Sequence, residues 1–399
     1  GLLLCSYTWA DGSRYASNSL LSEGKWVKIR VDKTGIYKLS YADLKNMGFS
    51  DPSKVSVHGS GGWPLDEDFS KEYIDDVPST PVWRGSDYLL FYGKGSVKWE
   101  YASSSQTFVH TNNPYSLYGY YFVTDATPTN DMTSVAQASG ASTRITTYDD
   151  YLLHEQELVS VNQSGREFFG EDFSGARPRT ISTFSSIPGI TGADGKVTMR
   201  FISRINSGSG TASLSINDSE LLDITIPSIQ TVSSNVRSYT KAIPGTTTAL
   251  WKGSKSEKNN VVVSYSSSGH TNVRLDYIRM QFVRTLRPYG ACTFFRSLTS
   301  VGNASRFVIS EANSNPLVFD VTDALNVKRV EADLNGSELS FTIPAGRLRE
   351  FVLVQTNQTF PSPEVVGEVA SSNLHGLEQR DMIIISVSYT HLTLPKIYS

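Results

Sequence analysis

Short stretches in which apolar and polar residues alternate recur along most of this chain. Val27, Ile29 and Val31 alternate with Lys28 and Arg30, which is the period of a strand with one buried face. Similar stretches recur further along the chain, separated by turn residues such as Gly, Asn and Asp. The strands predicted in this way are 27–31, 36–39, 55–58, 88–92, 98–101, 118–123, 181–184, 197–205, 212–216, 222–226, 261–265, 273–282, 306–309, 317–321, 329–332 and 350–355.

One short helix is predicted directly after the second strand. Ser40 can cap it, Asp43 stands three residues on as the acid of a capping box, and Gly48 can end it in the left-handed region. Many short strands with little helix favour a mainly β chain of tandem antiparallel β-sandwich or jelly-roll-like domains over an α/β sheet. Residues 126–142, rich in Thr, Pro, Ser and Ala, are predicted to form a linker or long loop.

The pattern changes near the end of the chain. Met382–Ile385 are four consecutive apolar residues after a polar Gln-Arg-Asp run, and such a run suits a strand that is covered on both faces. Strands of this kind open α/β domains, so we expect the chain to end at the first strand of a missing α/β domain. Pro361–Pro363 would form the stiff connector before it.

These patterns divide the chain into six predicted parts. They are a signal-peptide remnant with an N-terminal extension at 1–23, a β-rich domain with its linker at 24–142, a β-sandwich domain at 143–290, further strands packing on that sandwich at 291–363, the entry into the next domain at 364–386, and a sequencing-adapter artefact at 387–399.

Composition narrows the choice of partners and compartment. The net charge is -3 and charged residues make up 19% of the 399 residues, so no basic field attracts nucleic acid. Gly1–Ala10 is typical of the second half of a signal peptide, which predicts export. Its removal would take Cys5 away and leave Cys292 as a single thiol that cannot form a disulfide within this segment.

A resemblance becomes specific at Asn373-Leu374-His375-Gly376, which precedes a polar spacer and the apolar run. This segment resembles the entry into the gingipain-type cysteine peptidase domain, and more narrowly that of the sortases of the type IX secretion system. Other stretches agree in the same order. They are Gly24-Lys25-Trp26-Val27-Lys28-Ile29, Thr34-Gly35-Ile36-Tyr37, Ser164-Gly165-Arg166-Glu167-Phe168-Phe169-Gly170-Glu171, Leu275-Asp276-Tyr277-Ile278 and Phe319-Asp320-Val321-Thr322-Asp323.

The resemblance implies a cell-surface enzyme of a Gram-negative, Bacteroidetes-like bacterium. Such a sortase removes C-terminal sorting domains from secreted cargo and transfers the cargo to lipopolysaccharide. Its Cys nucleophile and its His belong to a caspase-like α/β domain, and both are expected after Ser386, so that no catalytic, cofactor or metal residue is expected in this chain. The implied partners are that catalytic domain, an outer-membrane β-barrel anchor, other attachment-complex proteins and the cargo.

Four local features are candidates for a catalytic, metal-binding or docking site. His270 and Cys292 lack the His-Gly pattern of the gingipain type, and His154-Glu155-Gln156-Glu157 lacks the second His of a zinc protease. Asp66, Glu67, Asp68, Glu72, Asp75 and Asp76 fit no EF-hand loop and are predicted to be a solvated acidic loop. Arg166, Glu167 and Glu171 are predicted either to dock the missing domain or to have a purely structural role.

A second hypothesis of a different class stays open at this stage. The chain could be a non-enzymatic surface protein whose β-sandwiches bind a glycan or another protein. The gene beyond Ser386 separates the two hypotheses, because the sortase requires a His-Gly pair and then a Cys after a hydrophobic strand.

Overall fold

The structure is a computed structural model that describes residues 15–378, except 69, 71–73, 162–164, 166, 176, 206–207, 230–241, 254, 268–270 and 314–315. This part of the chain is mainly β, with several antiparallel sheets arranged as β-sandwiches and one short α-helix, as the sequence predicted. None of its helices has the length and apolar character needed to cross a membrane.

The first unit is a sandwich of a five-stranded sheet, in the order β27-β1-β9-β3-β4, and a three-stranded sheet, in the order β2-β6-β5. Val27, Ile29 and Val31 point into its core, as the alternation predicted. Its elements are β1 (Trp26–Val31), β2 (Gly35–Ser40), α1 (Tyr41–Asn46), β3 (Ser56–Gly61), β4 (Ser79–Thr80), β5 (Val82–Arg84), β6 (Tyr88–Gly93), β7 (Val97–Ala102), β8 (Thr107–Asn112) and β9 (Gly119–Thr124).

The predicted helix and its caps are confirmed. Ser40 Oγ accepts a hydrogen bond from Asp43 N at 3.0 Å, and the Asp43 carboxylate accepts one from Ser40 N at 3.3 Å, which is a complete capping box. Gly48 has φ +90° just after the helix, in the region where a side chain is strained. The local sequence alone therefore determines where this helix begins and ends.

The second unit is a sandwich of two four-stranded sheets, β12-β19-β14-β17 and β13-β18-β15-β16. The segment 181–184, predicted as a strand, is instead a 3₁₀ turn at Ser182–Phe184, and its apolar residue Phe184 is buried in the core. The next elements along the chain are β10 (Ser134–Val135), β11 (Thr143–Ile145), β12 (Thr147–Glu155), β13 (Arg179–Thr180), β14 (Gly195–Ile205), β15 (Ser209–Ile216), β16 (Ser219–Pro227), β17 (Ile243–Trp251), β18 (Val261–Ser267) and β19 (Thr271–Thr285).

The third unit is a sandwich in its own right, with sheets β10-β23-β22-β26-β20 and β11-β21-β25-β24 and a separate phenylalanine-rich core. Residues 291–363, predicted as further strands packing on the preceding sandwich, lie in this third sandwich together with β10 and β11. The remaining strands are β20 (Cys292–Phe295), β21 (Ser305–Ile309), β22 (Leu317–Asp320), β23 (Lys328–Val330), β24 (Asp333–Asn335), β25 (Glu338–Ile343), β26 (Phe351–Val354) and β27 (Glu364–Val369).

The segment predicted as a linker, 126–142, is part of this third sandwich. Ser134 and Val135 pair in parallel with β23, and the next strand, β11, pairs in parallel with β21. Small polar residues suit such an edge, because an edge strand is bonded along only one side. The segment therefore connects the first unit to the third through backbone pairing.

The chain visits the three units in a nested order. It leaves the first unit after β9, gives β10 and β11 to the third, builds the second from β12–β19, and returns to the third with β20–β26. It then ends its described part in the first unit, where β27 pairs antiparallel with β1. Residues 364–369, predicted to lead into the next domain, thus belong to the first sheet, because their backbone completes that sheet's edge.

Arg296 is buried where the three units meet. Its guanidinium donates to the Asp149 carbonyl at 3.0 Å and to Glu350 Oε1 at 2.7 Å, and it lies 4.4 Å from the ring centre of Tyr151 and 5.9 Å from that of Phe108. Burial acts to lower the pKa of Arg296, but the acidic groups around it, with Glu350 first among them, together outweigh burial and the pKa is raised. Arg296 therefore stays charged, and its contacts link the units.

Candidate functional site

The described chain ends in a hydrogen-bonded junction of three segments, residues 15–22, 75–76 and 371–376. The junction extends the pairing of β27 with β1 beyond the sheet, since Ser372 N donates to the Leu21 carbonyl at 3.0 Å. The described part of the chain ends just after it, at residue 378, and we call residues 371–376 the chain exit. We treat it as the candidate functional site because the Asn-Leu-His-Gly segment lies within it.

Two neighbouring aspartates hold the N-terminal segment. Asp75 Oδ2 accepts from Ala16 N at 2.6 Å. The two oxygens of Asp76 accept from the Ser19 hydroxyl and from Leu20 N, each at 2.6 Å. Asp76 has φ 49°, a left-handed conformation that Asp tolerates better than most residues. These two acids, predicted to belong to a solvated loop, therefore have a structural role in the junction.

Asn373 connects the N-terminal segment to the end of the described chain. Its Oδ1 accepts from Ser19 N at 2.9 Å and from Gly376 N at 3.1 Å, while its Nδ2 donates to Asn18 Oδ1 at 2.7 Å. One amide side chain thus satisfies three partners in two segments that lie far apart in sequence. A hydrocarbon side chain of similar size would satisfy none of them.

His375 and Gly376 complete the same arrangement. His375 Nδ1 donates to the Ala16 carbonyl at 2.9 Å, and its Nε2 lies 3.7 Å from Asp75 Oδ1. A Cβ at Gly376 would overlap the Asn373 amide, so any other residue at this position would have to displace that side chain. Every polar side chain of the Asn-Leu-His-Gly segment is thus engaged in fixing the chain exit. The apolar Leu374 is 74% exposed.

An open groove of about 490 Å³ lies beside the junction, between α1 and β27. Met47, Pro363, Val365 and Glu368 contribute to its lining. Val365 and the next residue, Val366, are each 49% exposed on this edge strand. Leu374 is a further exposed apolar side chain, close to the end of the described chain.

The three predicted docking residues do not form one surface. Glu171 is mostly buried and accepts a hydrogen bond from His154 Nε2 at 2.7 Å. Burial acts to raise the pKa of Glu171, but the bond from His154, a backbone hydrogen bond and the nearby positive charges together outweigh it and the pKa is lowered. Glu167 is more exposed and lies 3.3 Å from Arg200, and Arg166 lies outside the described residues.

The His154-Glu155-Gln156-Glu157 segment does not have the geometry of a zinc protease. His154 and Glu155 are the last residues of β12, and successive residues of a strand point to opposite faces. Accordingly His154 bonds Glu171 and Thr183, whereas Glu155 lies 3.3 Å from the His110 imidazole. Within the described ranges, no group of three or more His, Cys, Asp and Glu side chains is arranged to hold a metal ion.

Cys292 lies in β20, opposite Val354 in the ladder to β26. Burial raises the pKa of its thiol to about 12, so the thiol stays protonated at neutral pH and is a poor nucleophile. His270, the residue weighed as its partner, lies outside the described residues, as do Cys5, Met382–Ile385 and the tail 387–399.

The sequence analysis missed a cluster of ionisable groups between the β7–β8 hairpin and the second unit. His110 lies 3.3 Å from Glu155, and Asn112 Nδ2 donates to Glu157 at 2.9 Å. Partial burial, with the negative charges of Glu155 and Asp276, raises the pKa of Glu157 to about 7. Burial likewise raises the pKa of Asp276 to about 6.

Asp276 pairs with Arg200 and occupies a bulge, where the register of β14 and β19 shifts between Arg200 and Phe201. At a bulge, the side chain points in a different direction from the one that the regular pleat of the strand would give it. The sequence marked this cluster only through the Leu-Asp-Tyr-Ile stretch at 275–278, one of the stretches that resemble the sortase family. Nothing in that stretch indicated that Asp276 is buried. The cluster offers carboxyl and imidazole groups and contains no thiol.

Comparison with known proteins gives one informative match. The crystal structure of dimeric latent PorU from Porphyromonas gingivalis superposes with a TM-score of 0.80 and 32% sequence identity, over 92% of this chain. This chain spans only 35% of the length of that protein. Neither protein-family models nor curated protein sequences give a match.

Two weaker structural matches carry no argument. CBM35 from Cellvibrio japonicus Abf62 aligns over 34% of this chain and 97% of its own, with 16% identity and a TM-score of 0.17. The delta-endotoxin Cry8Ea1 from Bacillus thuringiensis aligns over 57% of this chain and 41% of its own, with 11% identity and a TM-score of 0.22.

Proposed function

Because this chain is a PorU-like N-terminal region, we propose that it is the non-catalytic scaffold of a type IX secretion sortase. The whole protein would be a gingipain-type cysteine peptidase that removes C-terminal sorting domains from cargo and transfers the cargo to lipopolysaccharide. Its Cys would attack the carbonyl carbon at the cleavage point and its His would handle the protons. Both residues would lie after Ser386.

One observation carries this proposal: after the edge strand of the first sheet, the chain is held at the junction of residues 15–22, 75–76 and 371–376. A scaffold needs a fixed exit, because the position of the next domain depends on where the connecting chain is held. Asn373 and His375 supply that hold through side-chain hydrogen bonds. The exposed Leu374 offers an apolar side chain at this point on which a further domain can pack.

The chemistry of the described residues agrees with a non-catalytic role. The thiol of Cys292 has a pKa raised to about 12, whereas a catalytic thiol needs a lowered one. The described ionisable cluster, at Glu155, Glu157 and Asp276, contains no thiol.

The remaining expectations derive from the same proposal. The protein would be exported to the outer membrane and cell surface of a Gram-negative bacterium of the Bacteroidetes type. There its partners would be an outer-membrane β-barrel anchor, other attachment-complex proteins and secreted cargo. Glu167 is the described member of the predicted docking residues that remains accessible to such a partner.

Sequencing the uninterrupted gene beyond residue 386 tests the proposal. We expect a His-Gly pair and, some tens of residues later, a Cys after a hydrophobic strand. A stop codon, or further sandwich repeats without this pair, would instead support a non-enzymatic surface protein that binds a glycan or another protein.

A further inference from the structure

The N-terminal segment 15–22 is held to the molecule almost entirely by polar contacts. Its 3₁₀ turn, Leu20–Ser22, contains no buried residue, and Tyr15 and Leu20 are 41% and 45% exposed. Only Ser19 is buried, at 7% exposure. Since burial of apolar surface supplies most of the stability of folded structure, this segment belongs to the weakly held part of the molecule.

The same segment provides most of the partners of residues 371–376. Ser372 N bonds the Leu21 carbonyl, Asn373 bonds Ser19 and Asn18, and the His375 imidazole bonds the Ala16 carbonyl. The remaining contact to another segment is the 3.7 Å approach of His375 to Asp75. Release of the N-terminal segment would therefore remove most of the contacts that fix the chain exit.

We propose that residues 15–22 act as a releasable strap that couples the amino-terminal end of the protein to the chain exit at 371–376. The strap is fastened at Asp75 and Asp76, whose carboxylates hold Ala16, Ser19 and Leu20. With the strap fastened, the exit is held against the first sheet. Opening of the strap, or its displacement by a partner, frees the exit and any domain attached to it.

The strap deepens the proposed scaffold role. Only its effect on a following domain rests on that role. The coupling itself concerns described residues and is measurable whatever the later domain does. By thermodynamic necessity the coupling is reciprocal: weakening the exit must loosen the strap as much as weakening the strap loosens the exit.

Amide hydrogen exchange on the full chain tests the coupling. Asp76→Ala removes the acceptor of both the Ser19 hydroxyl and Leu20 N. We expect exchange at residues 371–376 to accelerate about tenfold, the factor that corresponds to the loss of about one hydrogen bond. Asn373→Ala should accelerate exchange at residues 19–20 by a similar factor. Amides of β14 and β19 should keep their wild-type rates, which separates local release from global unfolding.

Two further variants serve as controls. Asp51→Ala removes a similar cap, the carboxylate that accepts from Ser53 N at 3.2 Å and from its hydroxyl, in the same unit but away from the strap. It should leave residues 371–376 at wild-type rates. Asp76→Asn keeps an oxygen acceptor and a residue type that tolerates the left-handed conformation, so it should restore slow exchange in part.

Unchanged exchange at 371–376 in an Asp76→Ala protein whose residues 15–22 exchange freely would overturn the proposal. So would acceleration at 371–376 in Asp51→Ala to the same extent. Failure of the sortase proposal would appear in the gene beyond residue 386 and would leave these rates as they are.

Discussion

At the scale of single residues, the main finding is that several acids, two of them predicted to lie in a solvated loop, are bound to specific partners. Asp75 and Asp76 hold the N-terminal segment, and Glu171 pairs with His154 inside the second unit. Sequence alone could mark these residues as charged but not as paired. Their partners come from distant parts of the chain: Ser19 and Asn373, for example, are separated by 354 positions.

The raised pKa of Asp276 can be tested directly through the pH dependence of stability. Burial raises its pKa from 3.8 to about 6 although Arg200 opposes the shift. The folded protein therefore binds this proton more tightly than the unfolded chain, so the stabilisation is complete at low pH and is lost as pH rises from about 4 through about 6. The difference between the two pKa values corresponds to about 3 kcal/mol at most.

An Asp276→Asn variant removes this titration. We expect its free energy of unfolding, measured with urea across that pH range, to fall less steeply with rising pH than that of the wild type. Glu100→Gln, an exposed carboxylate paired with Lys98, is the matched control and should keep the wild-type slope. Identical slopes for the Asp276 variant and the wild type would contradict the buried-carboxylate explanation.

At the scale of elements, the long central strands were predicted well and several of the edge strands were missed. The long central strands β14 and β19 are both close to their predicted bounds. The edge strand β17, which carries Pro244 and Gly245, was not predicted, because these residues usually break a strand and are tolerated at an edge. The 3₁₀ turn at Ser182–Phe184 was predicted as a strand. Four residues are too few to distinguish the alternation of a strand from the longer period of a helix.

The β7–β8 hairpin is the element whose role the sequence could not reveal. It pairs with no other strand in the described sheets and packs instead on the second unit. Trp99 stacks on Tyr151 with 4.0 Å between ring centroids, and the Phe108 backbone exchanges two hydrogen bonds with the Gln281 side chain, at 2.9 and 3.2 Å. The hairpin therefore depends on side-chain contacts for its position.

Replacing Trp99 by Ala should release this hairpin locally. We expect a loss of about 2 kcal/mol, less than for a fully buried aromatic residue, and faster proteolytic cleavage within residues 97–112. Trp63→Ala is the matched control, since Trp63 contacts Thr34 and Lys94 in the first unit and should leave that cleavage unchanged. Equal cleavage of this segment in both variants would show that the stacking on Tyr151 does not hold the hairpin.

At the scale of the whole molecule, the nested path of the chain explains why the predicted boundaries were incomplete. Composition marked 126–142 as a linker and 364–386 as the start of something new, yet both segments contribute strands to sandwiches built from distant sequence. Local patterns predict that strands exist, whereas their partners depend on contacts across the chain. The first and third units even share a core, in which Ile36 and Tyr92 pack with Phe319 and Val352.

The overall class and the relationship to PorU were accessible from the sequence for different reasons. The mainly β class derives from alternation and is confirmed. The relationship derives from several short stretches in the right order and is confirmed by the structural match. The strand predicted at Met382–Ile385 lies outside the described residues and stays a prediction.

A peptide-cleavage assay tests the central claim, that this chain is a scaffold without catalytic power, most directly. The purified chain and the uninterrupted protein are each incubated with a peptide that spans the junction between a cargo and its C-terminal sorting domain, and the products are measured by mass spectrometry. We predict cleavage by the uninterrupted protein and none by this chain. Cleavage by this chain alone, especially cleavage abolished by Cys292→Ala, would contradict the account.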